Sequence, residues 1–132
     1  MFQFDLNFGQ IAENEVFALF RVKYPESQQK EGYFREYDFS TGEYEVEVKY
    51  DYKANKTGNL CIEKTVDGAP SGIQTTTAKY WVFYLNPKEI RVATPQELLN
   101  LPSKDVTFTT EGKIVNAFLI DKELVPILKI IP

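Results

Sequence analysis

Residues 43–51, EYEVEVKYD, alternate without interruption between charged and apolar side chains. Because successive side chains of a β-strand point to opposite faces, this period of two predicts a strand with one apolar face. The other face carries Glu43, Glu45, Glu47, Lys49 and Asp51. Such a row is typical either of a solvated face or of a site that expects a cation, and the alternation taken alone favours the solvated face.

The segments before this strand predict a helix followed by a hairpin. Residues 9–25 indicate a helix of about 14 residues that Pro25 ends, and its apolar side chains are spread so widely that most of it should be buried. Residues 1–8 alternate weakly and predict an edge strand or a leading arm. Residues 33–39 are predicted to form a second strand, joined to residues 43–51 by the turn sequence Ser40-Thr41-Gly42.

The segments after it add further strands and short helices. Residues 60–66 and 86–93 predict strands, and the unbroken apolar run at residues 80–85 is typical of a central strand. Residues 73–79 indicate a helical turn. Thr94 has the chemistry of an N-cap, with Pro95 at the first helical position. Residues 1–132 therefore predict one α+β domain with a mixed central β-sheet flanked by helices.

Composition excludes several classes of chemistry. The chain has 132 residues and no histidine, which removes histidine-based triads, histidine metal ligands and imidazole bases. Its single cysteine, Cys61, excludes an internal disulfide framework and suits a reducing compartment. A net charge of −4 argues against tight non-specific DNA binding but leaves room for a local basic patch.

The same composition bears on location. No apolar run approaches the ~18–20 residues of a membrane helix, and the first residues lack the pattern of a signal peptide. We therefore expect a protein without membrane contact, located in the cytoplasm, or in the host cytoplasm if a phage encodes it.

The hairpin register decides which carboxylates meet. A loop centred on Thr41-Gly42 places Asp38 opposite Glu45 and Glu36 opposite Glu47, unless a bulge shifts the pairing. Facing carboxylates repel each other, so a partly buried face would need raised pKa values or a bound cation. Oxygen ligands without histidine or cysteine point to Mg²⁺ or Mn²⁺.

Asp38 followed by Glu47-Val48-Lys49 resembles the D…(E/D)-x-K element of the PD-(D/E)XK nuclease superfamily. The helix IAENEVFALF resembles the first helix of small archaeal Holliday-junction resolvases and phage endonucleases. The stretch EVKYDYKANKTGNLCIE, followed by GAPSGIQTTTAKYWVFYL, is similar to small phage proteins of this class. The resemblance covers residues 9–120 and implies a restriction-endonuclease-like core.

The resemblance implies a role for each matching residue. Asp38 and Glu47 would bind the metal ion, with the backbone carbonyl of Val48 and with Glu13 reaching from the helix. Glu15 is the alternative to Glu13, and both also fit simple charges near a helix N-terminus. Lys49 would be the catalytic lysine that orients the attacking water and stabilises charge on the phosphate.

The basic segment after the strand is the predicted DNA contact. Lys53, Lys56 and Thr57, with the amide of Gly58, suit phosphate binding, and a solvated surface loop is the alternative. Ser71, Gln74 and Thr75 precede a short predicted helix whose N-terminus would hold a phosphate.

Other residues have plainer interpretations. Glu45 and Asp51 share the charged face and are expected to be solvated, with a tuning role at the site as the alternative. Glu63 is a secondary candidate for the site, and Cys61 is expected to be a small core residue. The aromatic residues of the central strand are expected to be core: Tyr80, Trp81, Phe83 and Tyr84.

Together these features predict a Mg²⁺- or Mn²⁺-dependent DNA endonuclease, acting on duplex or branched DNA and, by analogy with the small resolvases, as a homodimer. The first alternative is a catalytically inactive module on the same scaffold that binds nucleic acid or protein. A further alternative is a small-ligand-binding, β-rich domain, which would require the charged face of residues 43–51 to be fully wet and free of metal.

Overall fold

The computed structural model describes the backbone of residues 2–31 and 37–132, and the side chains of residues 8–31 and 37–132. Its elements, in chain order, are α1 (Phe2–Lys23), β1 (Gln28–Gln29), β2 (Phe39–Ser40), β3 (Glu45–Tyr50), α2 (Ala54–Thr57), β4 (Asn59–Val66), β5 (Ala69–Pro70), β6 (Tyr80–Asn86), β7 (Glu89–Ala93), α3 (Pro95–Asn100), β8 (Lys104–Thr110) and β9 (Lys113–Asp121). Short 3-10 turns lie at Gly72–Gln74 and Lys122–Leu124.

The strands form two sheets. The first sheet has the order β1-β2-β3-β6-β7, in which β3 and β6 run parallel and the other neighbours run antiparallel. The second sheet has the order β5-β4-β9-β8 and is antiparallel throughout. The predicted α+β class with a mixed sheet is confirmed. The segment 60–66 forms a strand as predicted, although as β4 it belongs to the second sheet.

Helix α1 covers one face of the first sheet. It begins at Phe2, so the prediction of a strand or arm over residues 1–8 was wrong. Ala12, Val16 and Phe20, spaced by four residues, are buried against this sheet. Ile11 and Val22 are exposed on the other side of the helix, so the prediction of a mostly buried helix was also wrong.

Strand β6 is buried on both faces, as its continuous apolar sequence predicted. Val82 and Tyr84 pack beneath α1. Trp81 and Phe83 point the other way and pack with Leu60 and other residues of the second sheet. The second sheet, rather than a set of helices, thus covers this face, which corrects the expectation of helices on both sides.

The parallel pairing of β3 with β6 requires a crossover, and β4, β5 and the turn Gly72–Gln74 provide it. Gly72 is necessary here because it has a φ of 54° and a Cβ atom would collide with the carbonyl oxygen of Glu63. The predicted helical turn over residues 73–79 is present only as this 3-10 turn.

The N-terminus of α3 forms as predicted. The hydroxyl of Thr94 accepts a hydrogen bond from the Glu97 amide at 3.1 Å, and the Glu97 carboxylate accepts one from the Thr94 amide at 3.0 Å. Pro95 occupies the first turn. This capping box ends β7 and turns the chain toward the second sheet. No helix in the described ranges has both the length and the apolar character needed to cross a membrane.

An ion-pair network around the buried Arg91 links the C-terminal segment to β7. Arg91, only 6% exposed, donates to Glu89 at 2.8 Å and to the carbonyl oxygen of Val125 at 2.7 Å. Lys122 donates to the same carboxylate at 2.9 Å. Hydrogen bonds from Lys122, then from Arg91, lower the pKa of Glu89.

We predict that Glu89→Gln lowers the free energy of unfolding by about 3 kcal/mol, because it leaves the buried guanidinium of Arg91 without its main counter-charge. The lowered pKa means that this stability is present at neutral pH and is lost as the pH falls through the pKa of folded Glu89. Urea denaturation of both proteins should show the gap between them closing in acid.

Glu123→Gln is the matched control. Its carboxylate lies 3.5 Å from Arg91 but its side chain is 68% exposed, so we expect a change below about 0.5 kcal/mol. If Glu89→Gln and Glu123→Gln lowered the free energy of unfolding equally, burial of the Arg91–Glu89 pair would not be the cause of the effect.

Candidate functional site

The β2–β3 hairpin sets the positions of Asp38 and Glu47. Phe39 pairs with Val46 and Ser40 with Glu45, across a loop of residues 41–44. The predicted pairing of Asp38 with Glu45 was therefore wrong by two residues, and Glu36 lies outside the described residues. The regular pairing ends at Phe39, because the Asp38 amide donates to the carbonyl oxygen of Val46, the residue that pairs with Phe39.

The Asp38 carboxylate sits where β2 and β3 separate. Its backbone amide still donates to the Val46 carbonyl at 2.9 Å, but the next ladder position is taken by the side chain, since Oδ2 accepts from the Val48 amide at 2.6 Å. The residue is only 6% exposed. A short, charge-assisted bond to a strand amide holds this carboxylate in one orientation.

Lys49 lies on the same face of β3 as Glu47. Its Nζ is 3.3 Å from Oε2 of Glu47 and 5.1 Å from the ring centroid of Trp81. The lysine side chain is 34% exposed and that of Glu47 is 16% exposed. The Glu47 carboxylate and the Trp81 ring therefore restrict the position of the Lys49 ammonium group, which is still partly exposed to solvent.

The carbonyl of Val48 points toward the same gap. In a strand the N–H and C=O of one residue point to the same side, and the Val48 amide points at Asp38. The Asp38 carboxylate and the Val48 carbonyl, both hard oxygen donors, therefore lie at the separation between β2 and β3, and the Glu47 carboxylate belongs to the residue before Val48. This donor set suits Mg²⁺ or Mn²⁺.

The structure separates the two helix glutamates. Glu13 is 5% exposed and accepts a hydrogen bond from Gln29 of β1 at 3.0 Å. Glu15 is exposed and accepts a hydrogen bond from the Tyr84 hydroxyl. Burial, followed by the bond to Glu15, raises the pKa of Tyr84 to about 12. Of the two, Glu13 is the one directed toward the β1–β2 side of the sheet.

Within residues 2–31 and 37–132, no group of three or more carboxylate, thiol or imidazole side chains lies close enough to hold a metal ion. Asp38 and Glu47 are strand neighbours, whereas Glu13 lies on the face that α1 covers. Its participation as a third acidic ligand stays a prediction.

Asp51 has a structural role that the sequence analysis did not find. Its carboxylate accepts a hydrogen bond from the Cys61 amide at 2.9 Å and so joins the end of β3 to the open edge of β4. Burial raises the pKa of Asp51 despite this bond. The expectation of a solvated side chain was wrong, because alternation within β3 could not show that β4 approaches its end.

Cys61 is half-buried rather than a core residue. Burial raises the pKa of its thiol, and the neighbouring charges of Asp51 and Glu63 add to the shift. The prediction of a core cysteine was wrong because the side chain points to the face of the second sheet opposite the core residues Leu60 and Ile62.

The basic segment is a helical turn. Lys53 and Lys56 are exposed on α2, which keeps them available for phosphate contact. Thr57 accepts a hydrogen bond from the Asn59 amide at 3.1 Å, and the Gly58 amide donates to the Ala54 carbonyl at 3.0 Å. The predicted use of the Gly58 amide as a phosphate donor was therefore wrong.

The predicted phosphate site at Ser71, Gln74 and Thr75 lacks its helix. The amide of Gln74 donates to the Ser71 carbonyl at 3.1 Å, and that of Thr75 donates to the Gly72 carbonyl at 3.2 Å. The Ser71 hydroxyl donates to Glu63 at 2.5 Å. These donors are used within the crossover, where they hold the turn against β4.

The aromatic residues of β6 are core as predicted, with Trp81, Phe83 and Tyr84 buried and Tyr80 partly buried. Trp81 also contacts Lys49, which the sequence analysis missed. The contact follows from the parallel register that pairs Glu47 with Trp81, and no local pattern specifies that register.

No family model matches the chain, and neither a curated protein nor a solved structure shows significant similarity to it.

We predict that Asp51→Asn and Asp51→Ala change stability in opposite directions. The amide oxygen of asparagine still accepts from Cys61 but avoids the cost of a buried charge, so its free energy of unfolding should exceed that of the wild type at neutral pH. Alanine leaves the Cys61 amide unpaired and should cost about 1–3 kcal/mol.

Urea denaturation at several pH values provides the check. A raised pKa in the folded protein means that the ionised form is disfavoured, so the advantage of Asp51→Asn should vanish in acid and grow as the pH rises through the pKa of folded Asp51. Asp105→Asn, at a side chain 80% exposed, is the control and should show little change. A constant gain at all pH values would contradict the assignment.

Proposed function

We propose that the protein is a metal-dependent DNA endonuclease with a restriction-endonuclease-like core. The observation that carries the proposal is the position of Asp38, Glu47 and Lys49. The Asp38 carboxylate accepts the amide of Val48, the residue next to Glu47, and Lys49 follows Glu47 by two residues on the same face with its Nζ 3.3 Å from the Glu47 carboxylate.

The topology supports this proposal. A long N-terminal helix packs on a sheet in which an antiparallel β2–β3 pair is followed, after a crossover, by a strand parallel to β3. In this order Glu47 and Lys49 belong to the strand next to the buried centre of the sheet, and Asp38 immediately precedes the antiparallel neighbour of that strand. The crossover through β4 and β5 distinguishes this chain from a core whose sheet is flanked by helices on both faces.

Asp38, Glu47 and the carbonyl of Val48 would hold the divalent ion, and Glu13 is the proposed additional ligand. When bound, such an ion lowers the pKa of a coordinated water and offsets charge on the phosphoryl group. Before any ion binds, the Val48 amide keeps the Asp38 carboxylate in place.

Lys49 contributes charge and orientation. The salt bridge to Glu47 and the ring of Trp81 restrict its side chain, so its ammonium group presents a fixed positive charge beside the carboxylates. There it would position the attacking water and stabilise negative charge that develops on the phosphate. An electrostatic role of this kind does not require a lowered pKa.

The DNA contacts belong to the same proposal. Lys53 and Lys56 are exposed on α2, which follows β3, and they would supply the local positive charge that a chain of net charge −4 needs if it is to approach a polyanion. Branched DNA as the substrate and action as a homodimer are further parts of the proposal.

A catalytically inactive binding module is the second candidate. It is favoured by the absence of a three-carboxylate group among the described residues and by the ion pair that already engages Lys49. In that case Asp38 would serve to close the hairpin, and the exposed lysines would serve to bind a partner.

Calorimetry with Mn²⁺ tests the metal site. We expect Asp38→Asn and Glu47→Gln each to weaken Mn²⁺ binding by at least about tenfold, because each removes a charged ligand. Asparagine is chosen because it can still accept the hydrogen bond from Val48. Glu45→Gln, on the same face one alternation away, should bind as the wild type does.

Cleavage of a supercoiled plasmid and of a four-way junction tests the activity. Lys49→Gln should retain Mn²⁺ binding and cut about 10²–10³-fold more slowly, the usual effect of losing one charge-stabilising group. Lys104→Gln is the control for a lost surface charge. Metal binding without cleavage of either substrate by the wild type would select the binding module.

A further inference from the structure

A cleft of about 510 Å³ lies beside the proposed site, between the end of β3 and the open face of the second sheet. Its volume falls within the range of pockets that hold small organic ligands. Cys61 and Leu119, which are direct partners across β4 and β9, both line it. The cleft uses none of the proposed metal ligands.

The cleft has two chemically different walls. Val106, Phe108 and Leu119 form an apolar wall, and Phe108 is 41% exposed although it is a large aromatic residue. Asp51, Lys53 and Asn59 form the polar wall. A flat ligand with apolar faces, polar edges and a negative group fits this combination.

The cleft is continuous with the proposed catalytic strand. Asp51 follows Lys49 by two residues, a separation of about 6.6 Å along an extended chain. Lys53 is exposed on the adjoining helical turn. A ligand in the cleft that reaches toward Lys49 therefore passes between two positive charges.

We propose that this cleft binds an unpaired segment of a DNA single strand next to the phosphate that is cut. One base stacks on Phe108 at one end of the cleft, and Lys53 contacts a phosphate of the same segment at the other end. The idea of a neighbouring cut rests on the proposed function, whereas the binding of the unpaired segment does not.

This inference restricts the class of DNA that the protein should prefer as its substrate. A base inside a continuous duplex is stacked and paired, so it enters the cleft only at the cost of unpairing. A junction, flap or gap already offers an unpaired base. The protein should therefore prefer DNA with a single-stranded segment beside the duplex, and an aromatic platform accepts any base without reading its sequence.

The first experiment measures binding of a fluorescent oligothymidylate by anisotropy, with the full chain in EDTA. Phe108→Ala should weaken binding about tenfold, in line with the loss of one base–aromatic stack. Ile114→Ala is the matched control because Ile114 is exposed on the opposite face of the same β8–β9 hairpin. Lys53→Gln should reduce the salt dependence of binding by about one phosphate contact.

The second experiment locates the ligand through Cys61, the single cysteine of the chain. Oligothymidylate should slow alkylation of Cys61 by iodoacetamide in the wild type and in Ile114→Ala, but much less in Phe108→Ala. Circular dichroism of each variant establishes that it is folded. A duplex of the same length should give little protection.

Absence of oligothymidylate binding, binding without protection of Cys61, or equal affinities of Phe108→Ala and Ile114→Ala would each overturn the proposal. Equal protection by the duplex would overturn the part that concerns unpaired bases. Because EDTA removes divalent ions, these results are separate from Mn²⁺ binding at Asp38 and Glu47. Either proposal can fail while the other stands.

Discussion

Burial of β6 on both faces is the constraint on which the rest of this structure depends. A strand with apolar side chains on each side must be covered twice, and α1 covers one face while the second sheet covers the other. β3, the parallel neighbour of β6, has an apolar face beneath α1 and a charged face on the other side. On the charged face the side chains of Glu47 and Lys49 are partly buried, with 16% and 34% of their surface exposed.

Two aspartates accept backbone amides at places where regular strand pairing ends. Asp38 accepts the Val48 amide where two strands separate, and Asp51 accepts the Cys61 amide where one sheet meets the other. Both carboxylates replace a missing backbone partner, which a buried amide requires. The hydrogen bond that satisfies the Val48 amide also fixes the orientation of the Asp38 carboxylate. A fixed orientation is what the proposed role as a metal ligand requires.

The proposed active site and the neighbouring cleft would contact different parts of a DNA substrate. In the proposals, Asp38, Glu47 and Lys49 would act on the phosphate through a bound metal ion, whereas the exposed ring of Phe108 would stack on a base. Asp51 lines the cleft, and it follows Lys49 of the proposed active site by two residues.

Local patterns in the sequence predicted the features that depend on near neighbours. Alternation identified β3 and its two faces, the apolar run identified β6, and Thr94 with Pro95 identified the start of α3. The extent of α1 was missed because its first residues alternate weakly. The register of β2 was wrong by two residues, since loop composition does not specify which residues close a hairpin.

What the chain encodes locally is therefore the type of each element and the residues on each face, because period and capping arise from sequence neighbours. The tertiary structure decided that the second sheet covers β6, that Asp51 reaches Cys61, and that Phe108 faces a cleft. These contacts join residues distant in sequence, such as Cys61 and Leu119. They result from the packing of two buried surfaces against each other, and the hydrophobic periodicity within one segment does not specify that packing.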